Sequence, residues 1–97
     1  MPYIYIITET FFNNGNLAYS LTKKEAYENK SMAELAIADF REKFVSSLEQ
    51  NGYSSREIEI EYDRDTVYIS WKGGKGHFEG INGNLTMKYD IEQHDII

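Results

Sequence analysis

The sequence predicts an α+β fold: one main helix packed on an antiparallel sheet, in the order β-(β)-α-β-β-β-β, with a C-terminal meander. Three observations carry this. Ala33, Ala36, Ile37, Phe40, Phe44 and Leu48 form an apolar stripe at helical spacing. Arg56 to Asp65 places acids at 57, 59, 61, 63 and 65, with Ile58, Ile60 and Tyr62 between them, the period of a half-buried strand. Turn signals at Asp63-Arg64-Asp65-Thr66, Gly73-Gly74-Lys75-Gly76 and Asn82-Gly83 then divide the second half into short segments.

The elements follow in order. Residues 3–8 read as a strand, apolar or aromatic on both faces, and so expected to be central and covered on both sides. Asn13-Asn14-Gly15-Asn16 is a turn, and residues 17–21 are its return strand. Thr22-Lys23-Lys24-Glu25 and Ser31-Met32-Ala33-Glu34 both have capping-box spacing. They predict a short helical turn near 22–28 and the main helix from 32 to about 50. Asn51-Gly52 supplies the helix stop, because glycine takes the left-handed cap cheaply.

In the meander, the turn at 63–66 sets Tyr62 opposite Val67, Glu61 opposite Tyr68, Ile60 opposite Ile69, Glu59 opposite Ser70, Ile58 opposite Trp71 and Glu57 opposite Lys72. The glycine loop then brings Trp71 opposite Phe78 and Lys72 opposite His77. Asn82-Gly83 reads as a two-residue hairpin that sets Phe78 opposite Met87 and His77 opposite Lys88. Each pair keeps both residues on one face, as a register must. One face collects Ile58, Ile60, Ile69, Trp71, Phe78, Leu85 and Met87 for the helix stripe. The alternating tail from Tyr89 to Ile97 extends the last strand or frays. This element order resembles the cystatin-type arrangement, a likeness of shape alone that carries no function.

Composition bounds the function. The chain has 97 residues, enough for a single domain spanning 1–97, and no cysteine, which removes disulfides, thiolate nucleophiles and Cys-type zinc sites. Lack of cysteine fits a reducing cytoplasm. The apolar run at the front is too short for a signal peptide or a membrane span. Net charge is −6, which disfavours direct binding to nucleic acid or anionic membrane. The charge is uneven: residues 1–48 hold six acids against five bases, and residues 49–97 hold ten against five.

The candidate sites are few. Lys72-Gly73-Gly74-Lys75-Gly76 lacks the spacing, the Ser/Thr and the following helix of a phosphate loop. The only histidines are His77 and His94. His77 shares a strand face with Glu79, and Asp90, Glu92 and His94 share another row. Side chains at that spacing diverge by roughly 7 Å, too far to share one metal. No nucleophile elbow, HExxH or dinucleotide turn is present, so neither an enzyme nor a cofactor is expected. Of the eight tyrosines, Tyr68 is expected on the polar face and Tyr53 after the helix, while Tyr3, Tyr5, Tyr62 and Tyr89 are expected in or beside the core.

The acidic ladder remains. Paired with Lys72, Glu57 is neutralised; Glu59 and Glu61 face Ser70 and Tyr68, which cannot cancel them. Glu59, Glu61, Asp63 and Asp65, with Tyr68, are therefore the candidate partner-binding residues. The bland alternative is a solvated strand face whose charges block edge pairing. The sharper expectation is a non-enzymatic binding protein that mimics a polyanion and occupies a basic, nucleic-acid-binding surface of a partner protein. Small acidic inhibitors encoded by phages and mobile elements are similar in size and charge. A homodimer in which the Tyr/Ile-rich first strand or the C-terminal strand pairs across an exposed sheet edge is the second expectation.

Overall fold

The computed structural model describes residues 3–96; Met1, Pro2 and the last residue of the tail, Ile97, lie outside them. Asn14 and Gly15 both take positive φ, 53° and 79°, the twist that lets two strands join through two residues. Strand β1 (Tyr3–Asn13) therefore doubles back directly into β2 (Asn16–Tyr27).

No helical turn forms near 22–28; β2 runs straight through that segment. The reason is tertiary. β1 is a central strand between β2 and β5, so its backbone groups need partners on both edges. A chain leaving at residue 21 would strand those of Tyr5 and Ile6. Instead Tyr27 and Ala26 pair with them, after an irregularity between Ile6 and Thr8. The excursion also turns Lys23 toward the helix side, where its ammonium reaches Glu9 at 3.0 Å and lies 4.7 Å from the Phe40 ring centre.

Helix α1 spans Lys30–Gln50. It starts two residues before the predicted point because Asn29, not Ser31, is the cap: its side chain accepts from the Met32 N–H at 3.0 Å. The stop is as read: Asn51 is the C-cap and Gly52 takes a φ of 98°. The stripe faces the sheet, with Ala33, Ile37 and Leu48 buried and Ala36, Phe40 and Phe44 packed against the core.

After the helix come β3 (Glu59–Asp63), β4 (Thr66–Lys72) and β5 (Asn84–Asp95). All five strands form one antiparallel sheet in the order β2-β1-β5-β4-β3. The fold is thus α+β with one helix on an antiparallel sheet, but three strands, not four, follow the helix. The β3–β4 register agrees with the prediction from Tyr62↔Val67 to Glu59↔Ser70. Beyond that it does not continue, because Ser55–Glu57 forms a 3-10 turn.

The strand expected at 77–81 is absent. β4 pairs straight with β5, so Trp71 meets Leu85 and Ile69 meets Met87. Residues 73–83 form a loop around a 3-10 turn at Gly76–Phe78. Its backbone groups are met locally, by Gly74 N–H to Phe78 O at 2.8 Å and Gly73 N–H to Gly83 O at 2.9 Å. Phe78 then folds back as a plug, its ring centre 5.2 Å from that of Trp71. Two helix-end residues hold the plug. The Asn51 side-chain Oδ1 accepts from His77 N–H at 2.8 Å, and the buried Tyr53 accepts from Lys75 N–H through its hydroxyl at 3.3 Å. Tyr53 is thus a core anchor rather than a surface residue.

The core lies between the helix and the central strands. Ile7, Val67, Ile69 and Leu85 are fully buried, with Trp71, Met87 and Tyr89 nearly so. Phe44 lies 5.1 Å from Trp71 and Phe40 lies 5.8 Å from Tyr89, ring centre to ring centre. Each fully buried aliphatic side chain contributes about 1.5–3 kcal/mol. Among the described residues the opposite sheet face carries no second layer, so β1 is covered on one side only; Ile4, Ile6 and Phe12 on its outer side are half-buried by neighbours.

The turn at 14–15 is itself a clamp. The Asn14 amide accepts from Asn84 N–H at 2.9 Å and donates to Asn82 O at 3.2 Å. It rests on Gly83, where φ is 110° and a Cβ would overlap that amide. Gly74 has a similar φ of 117° but open space around it. Gly74→Ala is therefore expected to cost about 1 kcal/mol, from backbone strain alone. Gly83→Ala should cost about 2–3 kcal/mol, since the clamp must also open. Urea denaturation of the pair measures the difference; equal losses would show that Asn14 contributes nothing.

Candidate functional site

Period two decides where the acidic ladder points. On β3, Glu59, Glu61 and Asp63 stand on the outer face, away from the helix, while Ile60 and Tyr62 stand on the helix side. All five residues are exposed, because β3 is the last strand of the sheet and pairs only with β4. The three carboxylates follow one another at roughly 6.6–6.8 Å. None of them enters an ion pair among the described residues.

Tyr68 joins this row as predicted. It sits opposite Glu61, and Lys88 on β5 sits opposite Tyr68 in turn. The Lys88 ammonium lies 5.8 Å from the Tyr68 ring centre and pairs with Asp90 at 3.3 Å. Tyr68 is thus a half-buried spacer between the acidic edge and the one cation of its row.

Asp65 does not join the row. Its carboxylate pairs with Lys30 at 2.8 Å, at the first residue of the helix. A cation there opposes the helix dipole, and Asp65 offsets it while tying the β3–β4 turn to the helix start. The hydrogen bond from Lys30 to Asp65 is the main cause raising the lysine pKa above its ordinary value. At the other end, Glu57 is neutralised by a different lysine from the one expected. Lys75 of the glycine loop, not Lys72, reaches it at 2.8 Å, and Glu57 also accepts from Ser54 N–H at 3.0 Å. Lys75 first and Ser54 second lower the Glu57 pKa below the ordinary carboxylate value.

Beside Glu59 lies an open cleft of about 480 Å³ on the outer face, lined by Arg56, Glu57, Ser70, Lys72, Asn84 and Thr86. Ser70 and Thr86 share a hydrogen bond across its floor at 3.2 Å. Its charges are mixed, so the unopposed stretch of the edge narrows to Glu61 and Asp63, with Glu59 at its margin.

The histidines fall elsewhere than expected. His77 lies in the 3-10 turn, not on a strand face beside Glu79. His94 and Glu92 do touch, at 3.2 Å, because long side chains two residues apart can bend together at an exposed strand end. No group of three or more acids and histidines is placed to hold a metal among the described residues.

Tyr62, expected near the core, is 62% exposed, and Ile60 is 39% exposed. The helix does not reach over β3; only Arg41 does, donating to the Tyr62 hydroxyl and lying 5.9 Å from its ring.

One polar cluster escaped the sequence reading. Glu9 stands on the helix side of β1 and accepts from the Tyr19 hydroxyl at 2.8 Å, beside its ion pair with Lys23. Tyr89, buried, sits directly opposite Glu9, and burial first and the Glu9 charge second raise its phenol pKa. The signal was available: Glu9 is the only charged residue between Tyr3 and Asn13. The cluster satisfies a half-buried acid, and no space for a substrate adjoins it in the two cavities described.

No family model matches the chain, and neither a curated protein nor a solved structure matches it, so the reading of this edge rests on its geometry.

The Glu9 cluster has a measurable consequence. Desolvation, then Glu9, pushes the Tyr19 phenol up to about 12 from 10.0, and burial pushes Tyr89 up as well. A phenol whose folded pKa is raised contributes its stability fully below the unfolded value near 10 and loses it as pH climbs through the folded value. The chain is therefore expected to lose stability between about pH 10 and 12. Phenolate absorbance should show Tyr19 and Tyr89 ionising only with the loss of structure. Ordinary ionisation of these two before unfolding would contradict the cluster.

Proposed function

We propose that this chain is a small acidic, non-enzymatic binding protein that engages a basic surface of a partner protein through the β3 edge. The observation that carries the reading is the row Glu59, Glu61 and Asp63: three successive outward carboxylates on a free strand, with no ion pair, next to acids at 57 and 65 that are both neutralised. In its sharpest form the row stands in for nucleic-acid phosphates, which recur at about 3.4 Å along each strand of a duplex. A protein that grips nucleic acid with lysine and arginine would be occupied by it, as by an inhibitor of the phage type. Such association is fast and salt-sensitive. The absence of cysteine fits a cytoplasmic setting. No described helix is long and apolar enough to cross a membrane.

The test is capture of basic nucleic-acid-binding proteins from a cell lysate at low and high salt, followed by elution with duplex DNA. The chain should retain such proteins at low salt and release them to DNA. The variant Glu59→Gln/Glu61→Gln/Asp63→Asn should lose them. Asp65→Asn should keep them, because Lys30 already occupies that carboxylate. Retention by the triple variant would overturn the reading.

The second reading is a homodimer formed through β2, because β1 and β5, the first and C-terminal strands expected to pair, are both enclosed within the sheet. That strand is an edge of twelve residues, and it exposes Leu17, Tyr19 and Leu21 by 63%, 39% and 42%. Sedimentation separates the two: a dimer that persists at high salt and disappears in Leu21→Lys favours this reading, and a monomer at both salts excludes it.

A further inference from the structure

We infer that β3 recognises its partner by strand addition: an extended segment of the partner protein pairs with the free edge of β3, its basic residues alternating with apolar ones. This rests on the proposed function and specifies how the basic partner is held.

Three features of the edge point the same way. The first is the backbone. Asp63 and Thr66 flank a two-residue turn, so they form a hydrogen-bonded pair, and the alternation of an antiparallel ladder makes Glu61↔Tyr68 and Glu59↔Ser70 the next such pairs. The N–H and C=O groups of Ile60 and Tyr62 then point away from β4, into the open edge. The second is the two-faced pattern. Outward acids call for lysine or arginine, whereas the exposed Ile60 and Tyr62 call for apolar cover on the helix side. One added strand meets both demands, because its own side chains alternate. The third is the room beside it. A cavity of about 140 Å³ lies next to Tyr62 between the helix flank and β4, lined by the apolar Ala38, Val67 and Ile91 and by the charged Glu34, Arg41, Arg64 and Asp65. An apolar side chain of the added strand can lean toward it.

The same charges say which occupant is refused. A second copy pairing antiparallel about Glu61 would set Glu61 against Glu61 and Glu59 against Asp63. Like charges directly opposite each other destabilise such a pair. The edge is therefore closed to its own copy and open to a basic segment.

The experiment uses the full chain and a short blocked peptide of alternating lysine and valine, titrated at low salt. Two companions carry the same side chains, one N-methylated at every valine nitrogen and one at every lysine nitrogen. Valine nitrogens are those that face β3 when the lysines stand over the acids. Strand addition is expected to protect the Ile60 and Tyr62 amides from hydrogen exchange. It should also weaken the valine-methylated peptide roughly tenfold or more relative to the lysine-methylated one. The Glu59→Gln/Glu61→Gln/Asp63→Asn variant should bind none of the peptides. Equal affinity for both methylated peptides, lost in the triple variant, would overturn strand addition and leave the charge reading standing. Binding that survives in the triple variant would overturn both. Absence of any binding, or protection of amides outside β3, would also overturn strand addition.

Discussion

One α-helix is too narrow for five strands. With its side chains it measures about 10–12 Å across, and neighbouring strands lie about 4.8 Å apart, so a single helix covers roughly two to three of them. Here it sits over the central strands β1, β5 and β4, and their inner residues are the buried ones. Both edge strands and the whole outer face are left to water. Much of the remaining structure answers that shortfall. Tyr62 and Ile60 are exposed because the helix ends short of β3. On the opposite flank, Lys23, Tyr19 and Glu9 make a polar seal over the gap between helix and β2.

The ends of the core have the same problem and solve it with loops. The 73–83 segment brings Phe78 back onto Trp71, and side chains from three other places hold it. Asn51 and Tyr53 grip it from the helix end, Asn14 from the β1–β2 turn, and Glu57 through Lys75. Most of these are side-chain bonds to loop backbone, which suits a segment too rich in glycine to form a ladder of its own. The free edge at β3 is distinct from these regions: among the described residues it carries neither a plug nor a clamp.

The helix, its stripe and its stop were legible because a 3.6-residue period needs only local information. The same holds for the β3–β4 hairpin, where alternation and turn agreed over four predicted pairs. Past Gly73 the alternation of His77, Phe78 and Glu79 was accidental. Five glycines between 73 and 83, three of them at positive φ, favour a loop, and β5 was available to pair with β4 directly. The helical turn near 22–28 failed for a related reason: the capping-box spacing at 22–25 was real, but the unpaired edge of β1 outweighed it.

Local pattern was enough for the elements that repeat: one amphipathic helix, a two-faced acidic strand, and carboxylates at 59, 61 and 63 on one side of it. Those follow from periodicity, which the backbone geometry of a helix or strand imposes residue by residue. Which acids stay free follows from contacts between distant segments. Asp65 is claimed by Lys30, thirty-five residues away, and Glu57 by Lys75 across a loop. The tertiary structure also decides that β3 is an edge at all. Strand order depends on which surfaces the single helix can cover, and that is a competition among distant segments that no local pattern records.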